Sequence, residues 1–203
     1  MAKVLLDITM SLDGFIAGPN DSPEYPFGLR GAERLHNWFF SGETPNTHND
    51  FFKPSGRSAE VVDEMLTTTG AIITGRHMYD LVNGWGGSHT IRGVPVFVIT
   101  HTVPERVPQG ATPFTFVTKG VASAVEQASA AAGDKDVFIR GGANIAQQCL
   151  NTGVVDEIYI HLVPILLGDG VRLFGPLDAP IELESMLVID VPDITHLRFC
   201  VIK

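Results

Sequence analysis

The residues best suited to bind a charged ligand follow two apolar runs, each of which predicts a buried strand. Arg140-Gly141-Gly142 comes directly after the run 137–139 and before a segment with helical spacing. Gly75-Arg76-His77 follows the run 71–74 in the same way. Glycine lets the backbone approach a ligand closely, and the free N–H groups at a helix start attract negative charge. Both stretches are candidate anion sites, and arginine can make paired bonds to a phosphate.

Hydrophobic periodicity predicts the elements that hold these stretches in place. The apolar run 158–167 predicts a strand, and Gly153 lies where a left-handed cap would end the helix before it. A tight turn without a ligand would show the same strand–glycine–helix pattern, so the pattern alone leaves both interpretations open. That helix is predicted from four residues at helical spacing: Ile145, Ala146, Cys149 and Leu150.

An acidic residue interrupts the first apolar run of the chain. Residues 4–9 predict a central strand that is covered on both faces, and Asp7 lies inside it. A carboxylate in such a strand must be paired, be protonated or line a cavity. Asp7 is therefore either a substrate contact or a carboxylate bonded to neighbouring backbone.

Residues 18–56 are the least regular part of the chain and are rich in aromatic side chains. A solvated linker would not carry so many rings, so this segment must pack on the core. It is either a surface flap or a substrate lid, with a short helix at Ala32–Phe40 and with Trp38 or a nearby phenylalanine stacking on a flat ring. Trp85, in a glycine-rich loop, could likewise face substrate or pin the loop.

The remaining patterns predict alternating strands and helices followed by a hairpin. A helix is expected at 58–66, with Ser58 as its N-cap and Gly70 after its end. Thr100 and His101 end a predicted strand, which is where ligands bind in α/β sheets. The other predicted elements are strands at 94–100 and 114–118, a helix at Gly120–Ala132, and antiparallel strands at 181–191 and 195–202.

Length, charge and composition limit the possible partners and location of the protein. The length of 203 residues suits a single domain, 1–203, and the net charge of −9 argues against nucleic acid and anionic membranes as partners. Two separated cysteines, no signal-peptide pattern and no apolar run long enough for a bilayer predict a cytoplasmic location. The seven histidines show no metal-ligand spacing, so no metal is expected.

Three motifs together resemble a known family. The stretch from Asp136 to Phe174 contains G-G-A-N-x-A-x-x-x-L, then G-V-V-D-E-I and V-P-I-L-L-G-D-G. The segment ending at Ala17 reads S-L-D-G-F-I-A, and Gly75-Arg76 supplies a G-R pair. In this order and over most of the chain, the motifs resemble the reductase domain of bacterial riboflavin biosynthesis and, more distantly, dihydrofolate reductase.

The resemblance implies a fold, a cofactor and the residues that bind it. The fold would be α/β and dihydrofolate-reductase-like, with three layers (α/β/α), a mostly parallel central sheet and an antiparallel C-terminal hairpin. The cofactor would be NADPH rather than NADH, since an arginine lies near the expected ribose phosphate. The implied cofactor residues are Gly141, Gly142, Ala143, Asn144 and Ile145 at the pyrophosphate and nicotinamide, Arg76, His77, Thr100 and His101 at the 2′-phosphoadenosine, and Ala17 and Gly75 beside them.

Two positions depart from the family pattern at the substrate end. Riboflavin-pathway reductases carry lysine and glutamate where this chain has Asp7 and Arg140, and their Asp-Asp-Pro segment is replaced by Tyr79-Asp80-Leu81. Asp7 and Arg140 should end adjacent strands at one cleft, either as substrate contacts or as a structural ion pair. Trp38 and Trp85 are weaker candidates, for stacking on the substrate ring.

The implied function is NADPH-dependent hydride transfer to a small heterocycle. The substrate would be a pyrimidine, such as 5-amino-6-(5-phosphoribosylamino)uracil, or a pteridine. The zinc deaminase signature of bifunctional riboflavin enzymes is missing from the sequence, so the chain would be the reductase part. A true dihydrofolate reductase and a nucleotide-binding module without turnover are the alternatives. Apolar C-terminal strands and the family resemblance predict a homodimer.

Overall fold

The computed structural model describes residues 2–203, so Met1 of the predicted domain 1–203 lies outside the described residues. Its helices are α1 (Ser58–Thr68), α2 (Arg76–Leu81), α3 (Gly120–Ala132) and α4 (Ala143–Asn151), with 3₁₀ turns at Ala32–Phe40 and Asn83–Gly87. Its strands are β1 (Val4–Ser11), β2 (Phe15–Ala17), β3 (Thr69–Gly75), β4 (Val96–Ile99), β5 (Phe114–Val117), β6 (Asp136–Ile139), β7 (Glu157–Val163), β8 (Val171–Arg172), β9 (Leu183–Val191) and β10 (Ile194–Val201).

Eight of the strands within residues 2–203 form one sheet, in the order β5-β4-β3-β6-β1-β7-β10-β9. The strands from β5 to β7 run parallel, and β10 and β9 extend the sheet as an antiparallel hairpin. The carboxyl ends of β3, β4 and β6 therefore meet at one edge, where open parallel sheets bind their ligands. The predicted mostly parallel sheet with a C-terminal hairpin is confirmed.

The sheet is covered on both faces because its central strands are apolar on both sides. In β3, Ala71 and Ile73 belong to one core cluster and Ile72 to the other, as the period of two in a strand requires. The first cluster includes residues of α3 and α4, and the second includes residues of α1, α2 and the Ala32–Phe40 turn. The fold is therefore a three-layer α/β/α arrangement, as predicted.

Strand β7 is shorter than its apolar run predicts. The pattern indicates a strand at 158–167, whereas the strand ends at Val163. Pro164 has no N–H group for the ladder, and the N–H of Ile165 donates to the carbonyl of Val163 at 2.8 Å in a tight turn. Leu166 is then 69% exposed. The chain thus leaves the sheet at the proline.

Ser58 is not the N-cap that its position suggests. The capping position is Arg57, and no side chain caps the start of α1. The Ser58 hydroxyl instead lies 3.0 Å from Nε2 of the buried His196 on β10. A tertiary contact has replaced the local bond that a serine at a helix start usually makes.

Gly70 is not the helix end that the sequence suggests. Helix α1 ends at Thr68 and strand β3 begins at the next residue, so Gly70 lies inside the strand. A Cβ at Gly70 would lie 2.6 Å from the Cβ of Lys135 and 2.8 Å from that of Ala132. The glycine is therefore needed for close packing of β3 against the end of α3.

A small antiparallel pair, β2 with β8, was not predicted from the sequence. Asp13 stabilises the turn that precedes β2. The Asp13 carboxylate accepts the Ser11 hydroxyl at 2.6 Å, the Gly168 N–H at 2.7 Å and the Leu167 N–H at 3.1 Å. The Ser11 bond above all lowers the pKa of Asp13. These contacts hold Ala17, at the end of β2, beside the carboxyl edge of the main sheet.

Two features were not found among residues 2–203. No helix there combines the length and the apolar character needed to cross a membrane. No group of three or more His, Cys, Asp and Glu side chains there is arranged to hold a metal ion.

Candidate active site

One cleft of about 1080 Å³ lies at the carboxyl edge of the sheet. Its size exceeds the roughly 300–1,000 Å³ of most single-ligand sites, so it has room for a dinucleotide and a second small molecule. All the predicted site residues except Trp38 line it: Asp7, Ala17, Gly75, Arg76, His77, Trp85, Thr100, His101, Arg140, Gly141, Gly142, Ala143, Asn144 and Ile145.

Trp38 lies behind the wall of the cleft. Its indole is 3% exposed, and its Nε1–H donates to Oγ1 of Thr9 at 3.2 Å. Its ring stacks on Phe39 with the centroids 3.8 Å apart. Phe39 and Phe40, the next two residues, do line the cleft. Trp38 therefore supports the aromatic wall, and its neighbours present their rings to the cavity.

The glycine side of the cleft consists of residues 75–77, 100–102, 118, 120 and 141–145. Gly142 precedes α4 with φ 91°, and a Cβ there would meet no atom within 4 Å. Gly120, the first residue of α3, has φ 82° and equally open surroundings. Neither position suits an ordinary L-residue, and a side chain at either would project into open space. Two helix starts, those of α3 and α4, thus face one open part of the cleft.

Arg76 is fixed in place at the start of α2. Its Nε bonds both oxygens of Asp80, at 2.7 and 2.9 Å, and its Nη1 donates to the carbonyl of Thr102 at 2.8 Å. Gly75 before it is packed closely, since a Cβ there would lie 2.8 Å from Cγ1 of Ile145. The guanidinium is therefore oriented by two elements at the rim of the cleft before any ligand binds.

His77 connects the irregular segment 18–56 to the glycine side. Its Nε2 lies 2.7 Å from an Asp21 carboxylate oxygen, and both residues line the cleft. The contact joins a residue of the predicted lid to the first turn of α2. The contact thus attaches segment 18–56 to the glycine side of the cleft.

The glycine side fits the phosphates of a dinucleotide. Gly142 and Gly120 leave open the space that a Cβ would fill, and backbone N–H groups at two helix starts can donate to phosphate oxygens. Arg76 adds a positive charge with planar donors. The sequence motifs did not single out Thr118 and Gly120, which also belong to this side, or Gln148, which lines the cleft as well.

The aromatic side of the cleft consists of Phe27, His36, Phe39, Phe40, Phe51, Phe52, Trp85 and His89. The His36 ring stacks on Phe27 with centroids 4.3 Å apart, and Phe51 meets Phe40 and Phe52 edge to face. These packed rings form an apolar wall whose exposed ring faces and edges could contact a planar ligand. Most of them come from segment 18–56, whose composition indicated packing but not which rings face the cavity.

Trp85 is held in an unusual backbone conformation. It has φ 51° and ψ 31°, within a left-handed run that also contains Asn83, Gly84 and Gly86. A bulky residue in this region costs about 1–2 kcal/mol. Its indole is parallel to Phe114 and meets the edge of His89 at 4.6 Å. The strained turn sets the ring of Trp85 at the cleft wall.

Asp7 and Arg140 form an ion pair at the base of the cleft, between its two sides. Leu6 pairs with Ile139, the last residue of β6, so Asp7 and Arg140 come next to each other where that strand ends. Nη2 of Arg140 donates to Oδ2 of Asp7 at 2.8 Å, and both side chains are largely buried. Burial alone would raise the pKa of Asp7, but the Arg140 charge and the His161 contact outweigh it and lower that pKa.

A chain of buried polar groups continues from Asp7 into the protein. His161 Nε2 lies 3.4 Å from Oδ1 of Asp7, and His161 Nδ1 lies 2.7 Å from Nδ1 of His196. The Ser58 hydroxyl then meets Nε2 of His196. Burial lowers the pKa of His196 to about 3, so this ring is neutral at physiological pH. The tautomers of the two rings decide which Nδ1 donates to the other, and both ring nitrogens of each histidine have a polar neighbour.

Sequence reasoning missed His161 and His196 as site residues. His161 did interrupt an apolar run, which is a signal that a polar group is buried in a strand. His196 stands in the alternating strand β10 and gave no such signal. The two rings meet because β7 and β10 pair in register, with His161 opposite His196.

The comparisons agree with this architecture. Residues 2–192 match the model of the RibD C-terminal domain family, and the chain belongs to that family. The uncharacterized protein YwjB of Bacillus subtilis (strain 168) is 24% identical over 184 residues, which cover 90% of this chain and 88% of YwjB. The resemblance stated from the sequence motifs is confirmed.

Two solved structures are similar over the whole chain. One, described as a candidate riboflavin biosynthesis protein of Shewanella sp. PV-4, has a TM-score of 0.71 and 26% identity, with 100% of both chains covered. Dihydrofolate reductase from Enterococcus faecalis, complexed with NADP(H) and RAB-propyl, has a TM-score of 0.57 and 10% identity, with 98% of this chain and 96% of that chain covered. The fold is therefore dihydrofolate-reductase-like, as predicted.

Proposed function

We propose that this protein is an NADPH-dependent reductase that transfers hydride to a small planar heterocycle of the pyrimidine or pteridine type. One observation carries the proposal: a single cleft joins a surface of glycines and helix starts, which suits phosphates, to a wall of aromatic rings, with a largely buried ion pair between them. Membership of the RibD C-terminal domain family and the dihydrofolate-reductase-like fold support it.

On the glycine side, the chain would bind and orient the cofactor. The start of α4 at Gly142 and the start of α3 at Gly120 would receive the pyrophosphate, while Arg76 would pair with the 2′-phosphate that distinguishes NADPH from NADH. When bound there, NADPH supplies a hydride, which is chemistry that no side chain of the protein provides. Thr100 and His101, after β4, would contact the adenosine end.

At the base of the cleft, Asp7 and Arg140 would orient the substrate ring. Asp7 is an ionised carboxylate, since its pKa is lowered, and it therefore accepts hydrogen bonds rather than supplying a proton. Nε of Arg140 has no hydrogen-bond partner within residues 2–203, so the guanidinium keeps a donor that no described protein group uses. An acceptor beside a donor matches the N–H and C=O of a lactam edge, which pyrimidines and pteridines share. Water from the open cleft would then supply the proton that the reduction consumes.

The test is a fluorescence titration with NADPH and with NADH, followed by an assay of NADPH oxidation with dihydrofolate, other pterins and aminopyrimidines. We expect tighter binding of NADPH than of NADH, and oxidation that depends on one of these rings. Turnover confined to dihydrofolate would identify a true dihydrofolate reductase. NADPH binding without turnover of any ring would favour a nucleotide-binding module, and no binding of either nucleotide would refute the proposal.

We also propose that the protein works as a homodimer in the cytoplasm. The edge strand β9 exposes Met186 and Val188, which are 51% and 56% accessible, and Leu183 is 44% accessible. An open sheet edge with exposed apolar side chains is normally covered, and a second copy of the chain is the simplest cover. Light scattering at micromolar concentration should give twice the mass of one chain, and a Met186→Glu variant should give the mass of one.

A further inference from the structure

We propose that the aromatic side of the cleft selects an uncharged flat ring compound and rejects substrates that carry a phosphate. This inference rests on the proposed reductase function and narrows its substrate class. Among the substrates that the family resemblance suggests, it favours unphosphorylated rings over phosphoribosyl pyrimidines.

Positive charge is scarce around the aromatic side. Among the described residues that line the cleft, Arg76 and Arg140 are the only lysines or arginines. Arg76 lies on the glycine side, held by Asp80 and the carbonyl of Thr102. Arg140 is already paired with Asp7. The proposed function assigns Arg76 to the cofactor, and Asp7 already balances the charge of Arg140. The aromatic side therefore has no unpaired cation to neutralise a phosphate on the substrate.

The histidines of the aromatic side do not replace the missing cations. Burial lowers the pKa of His36 to about 4. Burial and the nearby charge of Arg140 lower the pKa of His89 to about 4 as well. Both rings are neutral at physiological pH, while the carboxylate of Asp21 also lines the cleft. A phosphate dianion here would lose hydration without gaining a counter-charge, and this is strongly unfavourable in a buried site.

The second histidine of the aromatic side has a donor that suits a neutral ring. Nδ1 of His89 accepts the Ile91 N–H at 3.0 Å, so the proton of the neutral His89 ring is on Nε2, as a donor. This donor can bond a ring nitrogen or a carbonyl, while the stacked rings of Phe27 and His36 add apolar surface.

The test compares three pairs of probes that differ only in a 5′-phosphate: uridine and its monophosphate, inosine and its monophosphate, and riboflavin and its monophosphate. Each is titrated in the presence of saturating NADP⁺, because a phosphate could otherwise bind the glycine side. We expect at least one unphosphorylated member to bind, and to bind at least about tenfold more tightly than its phosphorylated partner.

A matched pair of variants tests whether the lack of positive charge causes the preference for unphosphorylated probes. Phe40→Lys places a cation at a cleft residue that is 47% exposed. The logarithm of the ratio of the two dissociation constants, phosphorylated over unphosphorylated, should then fall to half its value or less. Leu166→Lys adds the same charge at a residue that is 69% exposed and outside the cleft, and should leave the discrimination unchanged.

The two proposals fail in different ways. Failure of NADP⁺ to bind in the preliminary titration removes the reductase function. Equal or tighter binding of the phosphorylated members, an unchanged preference in Phe40→Lys, or no binding of any probe while NADP⁺ does bind would each overturn the inference about substrate class.

Discussion

The two sides of the cleft are built in different ways. The glycine side consists largely of backbone, at the ends of β3 and β6 and the starts of α3 and α4, and its main residues are consecutive in sequence. The aromatic side consists of side chains from separate segments, among them Phe27, Phe51 and Trp85. A surface made of backbone needs a local motif, whereas a wall of side chains needs only apolar rings that the fold brings together. The first kind of site can thus be recognised in a sequence far more readily than the second.

The two sides should also respond differently to perturbation. Helix starts and Arg76 bind through charge, which salt screens and which single backbone changes can abolish. The aromatic side binds through contact area, so the loss of one ring should have a smaller effect. Asp7 and Arg140 lie between the two sides, and substitutions of this ion pair should have the largest effect on activity.

Asp7→Asn should have the largest effect. Removal of the carboxylate charge leaves the buried Arg140 without a counter-ion and the substrate without its acceptor. We expect kcat/KM to fall about 100-fold and the free energy of unfolding to fall by about 3 kcal/mol, measured by steady-state kinetics and urea unfolding. Asp7→Asn combined with Arg140→Gln should recover stability but not turnover. Unchanged turnover in Asp7→Asn would show that the pair is purely structural.

Gly142→Ala should weaken cofactor binding at the glycine side. Alanine at φ 91° is strained, and its methyl group would occupy the phosphate space, so we expect NADPH to bind about 30-fold more weakly. Gly153→Ala is the matched control, since Gly153 follows the other end of α4 with φ 68° and equally open surroundings. Both variants should lose about 1–2 kcal/mol of stability. Equal NADPH affinity in the two would exclude the start of α4 as the phosphate site.

Arg76→Gln should reduce the preference for NADPH over NADH about tenfold and leave the affinity for NADH nearly unchanged. The reason is that a guanidinium bonds a 2′-phosphate that NADH lacks. Arg92→Gln is the control, because Arg92 is also ion-paired, to Asp50, but lies outside the cleft. Parallel titrations with the two nucleotides would settle the point, and an unaltered ratio in Arg76→Gln would assign the 2′-phosphate to another residue.

The histidines of the aromatic side should make stability depend on pH. Burial lowers the pKa of His36 from 6.5 to about 4, so between these values the unfolded chain binds a proton that the native protein does not. Stability is therefore complete above pH 6.5 and falls as the pH falls towards 4, by up to about 1.4 kcal/mol per pH unit for this residue. His36→Phe keeps a ring against Phe27 and should reduce the slope of the free energy of unfolding by that amount. An identical slope in the variant would mean that His36 is protonated in the native state.

The sequence predicted most of the fold because local patterns matched tertiary structure over long stretches. Helix Gly120–Ala132 was predicted to the residue, and apolar runs located the parallel strands. The errors lie where a contact from elsewhere overrides the local signal. Ser58 bonds His196 instead of capping its own helix, and Gly70 serves close packing against α3.

The candidate site was predicted unevenly for the same reason. Gly141, Gly142 and Arg76 were identified from their motifs, and Asp7 from its odd place in an apolar strand. Trp38 was placed in the correct segment, but it lies behind the rings that line the cleft. The neighbouring rings and the buried pair His161–His196 depend on which side chains a fold brings together, and a single sequence does not encode that in any short pattern.

The sequence by itself predicted the order of strands and helices and the glycine motifs after two strands, because periodicity and glycine conformation act over a few residues. The three layers followed from the family resemblance that these motifs carry. Only the tertiary structure decided which charges and rings share the cleft. Asp7 meets Arg140 because β1 and β6 pair at Leu6 and Ile139, the residues just before them. His161 meets His196 because the two residues lie opposite each other in the paired strands β7 and β10. Such contacts depend on distances between strands that are far apart along the chain, and so they exist only once the sheet has formed.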